Sequence, residues 1–465
     1  MLLHEHERTG ETPEHLDPEL LIEEARRRGR RRRSAAVAAL LLAGVGVAAF
    51  SVFHRSDGPT TTAQLAPKGV FVDSRAFAGH GLLAFVSRGR LFVLDGETQK
   101  LTAVTALGQQ ASDPQFSPDG RWLSYWLGSG KTGLAHADGD LPHIVGKGGA
   151  RWLPDGRLLL GNSVDRVGAD GRPIRIGSAP SGAIAWSPDG DRFAFVTRHL
   201  THGSDGAFHG VEQLQVANSL TGPRTTWLAH PIAANPNSGF IGYAINGFIV
   251  LTHREGVLYW SDPDQSASLA ADGMTVYLLR KPHAQPVKLG TTVGHTTSAT
   301  ATGRLALATG GNRYAWITKT VETCAPSSAR CKPLPAPPGK LTLDPSWSPD
   351  GRTLAFVEAR AEPAGDFRQA TVTRWYSTRS LWLLNADATT LMEIADTRGA
   401  TAPTWSADGK SLLYIAGDAL WLIPRTGAKP EKIAGPLFPS SAWPSYYGQI
   451  DWTNQFAWSH SPVHG

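Results

Sequence analysis

The chain has 465 residues, a formal net charge of +5, 41% hydrophobic residues and 18% charged residues. This balance excludes an intrinsically disordered chain, and the small net charge does not require an acidic partner. The 50 glycines, 32 prolines and 15 tryptophans are typical of a large globular protein with many turns and repeated aromatic positions.

The first 33 residues form a segment of their own. Asp17 followed by Pro18 is a good helix start, and Glu19 suits the positive end of a helix. An arginine cluster follows, made of Arg26, Arg27, Arg28, Arg30, Arg31, Arg32 and Arg33. We predict a cytosolic tail that contains an acidic, then arginine-rich, helix. Residues 1–33 contain eight arginines and eight acidic residues, so their charges balance, and no aromatic residue is present to stack on bases. We therefore expect no nucleic-acid partner.

Residues 34–53 contain no charged side chain. About 20 apolar residues match the thickness of a bilayer, so this stretch predicts a transmembrane helix. The preceding arginines place the N-terminus in the cytoplasm and the rest of the chain outside it. The prediction is a single-pass cell-membrane protein with an extracytoplasmic domain. A cleaved signal peptide is the alternative, since Arg32 and Arg33 precede an apolar run as in twin-arginine export.

Residues 54–69 are predicted to be a linker, because the stretch from Asp57 to Gln64 is short, polar and rich in turn-forming residues. We therefore place residues 70–465 in one extracytoplasmic domain.

A five-residue phrase recurs in that domain. Trp-Ser-Pro-Asp-Gly occurs at 186–190 and 347–351, with variants at 116–120, 152–156 and 405–409. Pro presets φ for a turn, and Asp and Gly complete it. An apolar segment of strand length follows each copy, so each phrase predicts the tip of a hairpin. The predicted turn residues are Asp119, Gly120, Asp155, Gly156, Asp189, Gly190, Asp350, Gly351, Asp408 and Gly409.

The turn glycines recur with a period typical of repeat proteins. Weaker turns at Gly81, Gly247 and Gly303 complete the series, whose spacing is 34 to 58 residues. Each unit also carries a third strand and often a fourth, as at 380–385 and 391–395. Four short strands per unit predict the blade of a β-propeller, because a blade must stack against neighbours to bury both faces.

The phrase and the strand order resemble the TolB-like, WD-like repeat family of β-propellers over residues 70–465. The resemblance implies an all-β propeller and roles in envelope scaffolding or transport. TolB-like proteins are soluble and carry an α/β domain before the propeller, whereas here an apolar segment precedes it. The partners of TolB are therefore not carried over to this chain.

The two ends of the repeat region are incomplete in a complementary way. The first unit begins at its second strand, and the segment from Gln449 to Trp458 offers only a first strand. We predict that the ends complete one blade together, which gives eight blades. The count is seven if the short unit of Gly156 is absorbed into its neighbour.

Two insertions follow the second strands of their units, at 198–210 and 358–377. Such connections lie on one face of a propeller, and insertions on one face often mark a binding surface. Arg374, Trp375 and Tyr376 are residue types that dominate interface hot spots, so we predict a docking rim for a protein or glycan. The alternative is that Trp375 and Tyr376 begin the third strand and pack inside the blade.

The first insertion contains His199, His202 and His209, with Asp205. These residues are binding candidates, and a metal site is the less favoured interpretation, because histidines in a glycine-rich loop are more often solvated. We therefore predict no metal and no cofactor. Cys324 and Cys331 are the only cysteines, and outside the cytoplasm they are expected to form a disulfide that closes a small loop.

No catalytic motif is present in the sequence. There is no G-x-S-x-G nucleophile elbow and no H-E-x-x-H pair, and the residues from Gly128 to Thr132 lack the first glycine of a phosphate loop. The leading hypothesis is a non-catalytic scaffold that binds an envelope or membrane protein. Two alternatives stay open: a metal-dependent lyase or lactonase that uses the central channel, and a transmembrane sensor that signals through residues 17–33.

Overall fold

The computed structural model describes most of the chain after residue 68. The described ranges are 69–181, 183–187, 190–203, 208–233, 249–252, 256–261, 273–292, 297–300, 304–310, 319–324, 331–362, 369–387, 390–437, 452 and 454–459.

The first half of this region consists of short strands. In chain order they are β1 (Phe71–Val72), β2 (Leu82–Ser87), β3 (Arg90–Asp95), β4 (Leu101–Ala103), β5 (Ala111–Phe116), β6 (Trp122–Leu127), β7 (Lys131–His136), β8 (His143–Lys147), β9 (Ala150–Trp152), β10 (Leu158–Leu160), β11 (Ser163–Val167), β12 (Pro173–Ser178), β13 (Ile184–Trp186), β14 (Phe193–His202), β15 (Phe208–Ala217) and β16 (Arg224–Ala233).

The second half continues the pattern and adds one helix. Its elements are β17 (Ile249–Thr252), β18 (Gly256–Ser261), β19 (Met274–Leu279), β20 (Val287–Thr292), β21 (Thr297–Ala299), β22 (Leu305–Thr309), β23 (Thr320–Cys324), β24 (Cys331–Pro333), β25 (Lys340–Trp347), β26 (Thr353–Arg360), α1 (Gln369–Tyr376), β27 (Ser380–Asn385), β28 (Leu391–Glu393), β29 (Ala400–Trp405), β30 (Leu412–Ala416), β31 (Ala419–Ile423), β32 (Glu431–Gly435) and β33 (Phe456–Ser459).

The strands form eight antiparallel sheets, which confirms an all-β propeller of eight blades rather than seven. Blades 2 to 7 each take four consecutive strands, from β5–β8 to β25–β28, and blade 8 takes β29–β32. The short unit of Gly156 is blade 3, a sheet of its own built from β9–β12. The first strands of neighbouring blades contact each other, as β25 does with β21 and β29.

The ring closes at blade 1 as predicted, with a strand from each end of the domain. β33 pairs with β2, so that Phe456 lies opposite Phe85 and Ser459 opposite Leu82. A second closure was not predicted. β1 adds a fifth strand to the outer edge of blade 8, where Phe71 pairs with Gly435. Two residues are too few to be recognised as a strand from sequence.

The strand order defines two faces of the ring. We call the lower face the one with the connections between first and second strands and between third and fourth strands. The upper face carries the connections between second and third strands and those between successive blades. The alternation follows because neighbouring strands in every blade run antiparallel.

Hydrophobic side chains fill the space between neighbouring blades. One cluster joins the last blade to the first through buried residues such as Leu83, Phe85, Leu413 and Leu420. In blades 3 and 8, the tryptophan of the repeated phrase also donates a hydrogen bond to the preceding blade. Trp152 Nε1 donates to a carbonyl oxygen of β5, and Trp405 Nε1 donates to a carbonyl oxygen of β25, at 3.1 and 2.9 Å. The aromatic position therefore ties each of these two blades to the one before it.

The repeated phrase forms the turn at the lower face. In blade 7, Gly351 N–H donates to the Ser348 carbonyl oxygen (2.8 Å), and Gly351 has a φ of 67° that favours glycine. Asp350 Oδ1 accepts from Ser348 Oγ at 2.6 Å and from the Arg352 N–H at 3.0 Å. These two hydrogen bonds lower the pKa of Asp350. The aspartate therefore holds the turn.

The other turns repeat this arrangement with small changes. Asp119 and Asp408 accept from a serine two residues before them, and Asp155 accepts from the backbone N–H of Arg157. Asp189 lies outside the described residues. The glycines with positive φ at this position are Gly120, Gly156, Gly190 and Gly409.

A disulfide joins Cys324 in β23 to Cys331 in β24, which lie directly opposite each other in the ladder of blade 6. Replacing both cysteines by serine is expected to lower the free energy of unfolding by about 2.5 kcal/mol, because the unfolded chain regains the entropy of an open loop. Chemical denaturation of the double variant measures the change. An equal change on reduction of the wild type would attribute it to the bond, whereas no change in either would contradict the loop-closure account.

Several predicted segments lie outside the described residues. They are the cytosolic tail with its helix (1–33), the transmembrane segment (34–53), nearly all of the linker, and the weaker turns at Gly247 and Gly303. Within the described part of the chain, no helix has both the length and the apolar character needed to cross a membrane.

Candidate binding face

Both insertions join the second strand of a blade to the third, so both lie on the upper face. The first belongs to blade 4 and the second to blade 7, three blades further along the ring. The upper face therefore carries two separate features rather than one continuous rim.

The first insertion is a three-stranded extension of blade 4, which we call the β-arm (residues 198–202, 208–212 and 230–233). The strands β14, β15 and β16 each have ten residues, and they remain paired from Phe193 to His202. The sequence led us to expect a solvated glycine-rich loop here. A continuous ladder instead holds the β-arm in one conformation as an extension of the blade.

An ion pair fixes the base of the β-arm. Glu212 in β15 is fully buried, and its Oε1 accepts from Arg198 Nε in β14 at 2.8 Å. Burying a carboxylate without a partner costs several kcal/mol, so the pair keeps the two strands in register.

The outer part of the β-arm exposes apolar side chains together with histidines. Val211 is 41% exposed and Leu200 is 38% exposed. His199 pairs with Val211 across the ladder, and His209 pairs with Thr201, so these four residues share one face. Leu200 lies on the opposite face, so each face of the β-arm exposes one apolar side chain, which suits protein contact.

The predicted histidine trio is assembled only in part. His199 and His209 are exposed and share a face of the β-arm. His202 pairs with Phe208 in the ladder, but the His202 side chain is outside the described part of the structure. Residue 205 is outside it altogether. Among the side chains that the structure describes, no three His, Cys, Asp or Glu residues are placed to hold one metal ion.

The second insertion contains α1, which corrects the prediction for Arg374, Trp375 and Tyr376. Trp375 and Tyr376 do not begin the third strand, which starts at Ser380, but Trp375 does pack against the blade as the alternative expected. Trp375 is fully buried in the apolar cluster of blades 7 and 8, and its Nε1 donates to the Arg360 carbonyl oxygen at 2.9 Å. A large apolar side chain on a short helix gains most by packing against the blade beneath. Only Arg374 stays exposed.

A buried charged cluster lies beneath α1. Arg379 is 1% exposed, and its guanidinium carbon lies 3.8 Å from the centre of the Tyr376 ring and 4.5 Å from that of Trp375. Burial raises the pKa of Tyr376 to about 12, so the phenol is neutral beside the guanidinium. Cation–π contacts of this kind fix α1 above blade 7.

The same cluster links blade 7 to blade 8. Thr401 Oγ1 donates to Asp344 Oδ2 at 2.6 Å, and Arg379 Nη1 donates to Thr401 Oγ1 at 3.2 Å. Arg379 Nη1 and Asp344 Oδ2 are 3.6 Å apart, an ion pair without a direct hydrogen bond. The hydroxyl therefore mediates between the two charges.

Lys319 completes the cluster from blade 6. The residue is 2% exposed, and burial lowers its pKa to about 6. The positive charge of Arg379 lowers this pKa further, whereas the negative charge of Asp344 raises it. Lysines of this kind occur at functional sites and in buried ion clusters. Here the surrounding groups bond to each other and to α1, so the cluster serves to position the helix.

This cluster was missed by the sequence reasoning, although a signal exists. Asp344 precedes Pro345, and Asp113 precedes Pro114, at the same place before the repeated phrase. Both aspartates have positive φ, and the strand register shifts beside each of them. A repeated Asp-Pro at a fixed distance from the turn therefore marks a bulge in the innermost strand.

A cleft of about 710 Å³ lies on the lower face between blades 2 and 3. Its size suits a small ligand. Trp122 forms one wall, edge-on to the His136 ring with centroids 4.7 Å apart. The Asp119 and Asp155 carboxylates on its rim already bond within their own turns. Most of the acidic surface of the cleft therefore stabilises the fold.

Comparison with known proteins gives likenesses but no assignment to a family. No family profile matches the chain. A curated relative, "Uncharacterized peptidase YuxL" of Bacillus subtilis (strain 168), is 36% identical over 75 residues. That match covers 16% of this chain, and the chain spans only 9% of the length of that protein.

Several solved structures align with most of the chain. A protein assigned as TolB from Agrobacterium tumefaciens is 14% identical, with a TM-score of 0.30, and the alignment covers 81% of this chain and 97% of that one. An oligogalacturonate lyase in complex with manganese is 13% identical, with a TM-score of 0.39 and coverage of 77% and 97%.

An acylaminoacyl peptidase from Pyrococcus horikoshii is 11% identical, with a TM-score of 0.40 and coverage of 79% and 54%. These TM-scores are all below 0.5, so the likenesses carry no argument about the fold or the function of this chain. What defines the chain is its own sheet topology, which is that of an eight-bladed β-propeller.

Proposed function

We propose that the protein is a membrane-anchored, extracytoplasmic scaffold that binds an envelope or membrane protein without catalysis. The observation that carries the proposal is the β-arm, which presents exposed apolar side chains on a rigid base. Rigid surfaces bind at a lower entropic cost than flexible loops, because little side-chain and backbone freedom is lost.

Two further observations support the extracytoplasmic location. The disulfide between Cys324 and Cys331 is of a kind that persists in oxidising compartments. The uncharged stretch at 34–53 follows seven clustered arginines, which by the positive-inside rule stay in the cytoplasm. On this proposal the anchor keeps the propeller at the outer surface of the membrane.

Val211→Glu tests the β-arm as the docking surface. A charge in the middle of an apolar contact is expected to reduce the recovery of a crosslinked partner about tenfold or more. The measurement is a pull-down of the full chain from crosslinked membranes, with quantification of the recovered protein. Leu391→Glu is the matched control, since Leu391 is equally exposed (41%) but lies in β28, at the outer edge of blade 7.

Both variants should keep nearly the melting temperature of the wild type, because each side chain is exposed enough for the new carboxylate to reach solvent. Equal recovery with Val211→Glu and wild type would contradict the proposal. An equal loss with the control would show that added negative charge, rather than the β-arm, controls recovery.

A further inference from the structure

The chain enters the propeller at its upper face. The strand β1 runs antiparallel to β32, and the residues before Phe71 continue past Gly435 towards that face. Arg88, in the upper turn between β2 and β3, donates from Nε to the Gly69 carbonyl oxygen at 3.2 Å. Gly69, the first described residue, therefore lies beside the upper edge of blades 8 and 1.

A patch of cations around one exposed leucine lies next to this attachment. We call it the blade 1–2 patch, and its members are Arg88, Leu107, Lys131 and Lys147. Leu107 is 80% exposed, more than any other large hydrophobic residue that the structure describes. It lies in the connection between blades 1 and 2, on the upper face.

Backbone contacts join the members of the patch into one surface. Ala111 N–H donates to the Gly89 carbonyl oxygen at 2.8 Å, next to Arg88. Gly128 N–H donates to the Gln110 carbonyl oxygen at 2.9 Å, so the connection that carries Leu107 rests on the upper turn of blade 2. That turn leads directly into Lys131.

The two lysines lie side by side. Lys131 in β7 and Lys147 in β8 are direct partners in the ladder, and both are exposed. Like charges at opposite positions destabilise a sheet. Over the described part of the chain, neither ammonium group has a carboxylate within ion-pair distance. An external anion would relieve this repulsion.

We infer that the blade 1–2 patch rests on anionic lipid headgroups, with Leu107 inserted between them and the upper face towards the membrane. The inference rests on the anchored topology proposed above. On that topology 15 residues, 54–68, separate the apolar segment from Gly69, and at about 3.5 Å per residue they span at most about 50 Å. That reach keeps the patch close to the bilayer. Clustered cations with an exposed apolar residue are typical of surfaces that bind anionic membranes.

The test uses a fluorescent probe on the full chain, reconstituted into vesicles. The only two cysteines form the disulfide, so Leu107→Cys provides a unique thiol for an environment-sensitive dye. Leu141→Cys is the matched control, since Leu141 is 70% exposed in the lower connection of blade 2. Vesicles contain phosphatidylcholine alone or with phosphatidylglycerol, and brominated lipids report contact by quenching.

With phosphatidylglycerol present, we expect a blue shift and quenching at residue 107 and none at residue 141. Lys131→Glu combined with Lys147→Glu should reduce the response at residue 107 to that of the control position. Lys410→Glu combined with Lys429→Glu, two changes on the lower face, should leave the response at residue 107 unchanged.

The contrary outcomes separate this inference from the proposed anchor. A chain that does not float with the vesicles overturns both. A chain that floats but responds equally at residues 107 and 141, or responds without regard to the two lysines, overturns only the patch. A probe at residue 107 that is silent with lipid but responds to an envelope extract would assign the patch to a polymer or protein and overturn the lipid assignment.

Discussion

Removal of residues 456–465 is expected to lower the free energy of unfolding by at least about 5 kcal/mol, because it opens the ring. The truncation deletes β33, the innermost strand of blade 1, and with it the ladder opposite β2. Phe456 is only 8% exposed and belongs to the cluster that joins blades 8 and 1. The loss is comparable with the whole stability of many domains.

Contacts beyond the ladder with β2 are lost in the same truncation. Trp458 Nε1 donates to the His80 carbonyl oxygen at 2.7 Å, and β33 also contacts β5 of blade 2. Chemical denaturation measures the loss of stability. Size-exclusion chromatography should show association, because β2 then becomes an unpaired edge.

A shorter truncation of residues 460–465, which leaves β33 complete, is the control. Phe456→Ala should give an intermediate loss of about 3–5 kcal/mol. Wild-type stability without β33 would mean that the fifth strand of blade 8 alone can hold the ring closed.

The sequence was sufficient to predict the ring and its closure, because the information is local and repeated. Each copy of the phrase combines an aromatic residue, a turn and an apolar strand, and the turn glycines do have positive φ. The missing first strand of the first unit and the isolated strand at the end of the chain each implied the other.

The β-arm and α1 were predicted poorly for different reasons. In the β-arm part of β15, the run His-Gly-Val-Glu at 209–212 does not alternate apolar and polar residues, so the sequence has no clear strand pattern there. In α1, Trp375 and Tyr376 are as typical of a strand start as of a helix. The helix forms because Trp375 packs against blade 7, and a contact between distant residues leaves no pattern in the local sequence.

Apart from the Asp-Pro pair that marks the bulge at Asp344, the buried charges had no signal in the sequence. Lys319, Asp344 and Arg379 are far apart along the chain and meet only because blades 6, 7 and 8 are neighbours in the ring. Their charges would otherwise suggest exposed positions.

Lys319→Met is expected to raise the free energy of unfolding at neutral pH by about 1–4 kcal/mol. The pKa of Lys319 falls from 10.5 to about 6 on folding, chiefly through burial. Between these two values the unfolded chain binds more protons than the folded protein, so this residue makes stability increase as pH rises. Below pH 6 the buried Lys319 ammonium destabilises the folded protein by its full amount, and above pH 10.5 it no longer does so.

The difference between Lys319→Met and wild type should therefore be largest near pH 6 and shrink towards pH 10. Denaturation at several pH values between these limits measures it. Lys429→Met, at an exposed position on the lower face, should change stability by less than about 0.5 kcal/mol at every pH. In Lys319→Met, the methionine keeps most of the packing volume of lysine and leaves Asp344 paired with Arg379. Destabilisation by Lys319→Met at all pH values would show instead that the ammonium group is bound well enough to offset its burial.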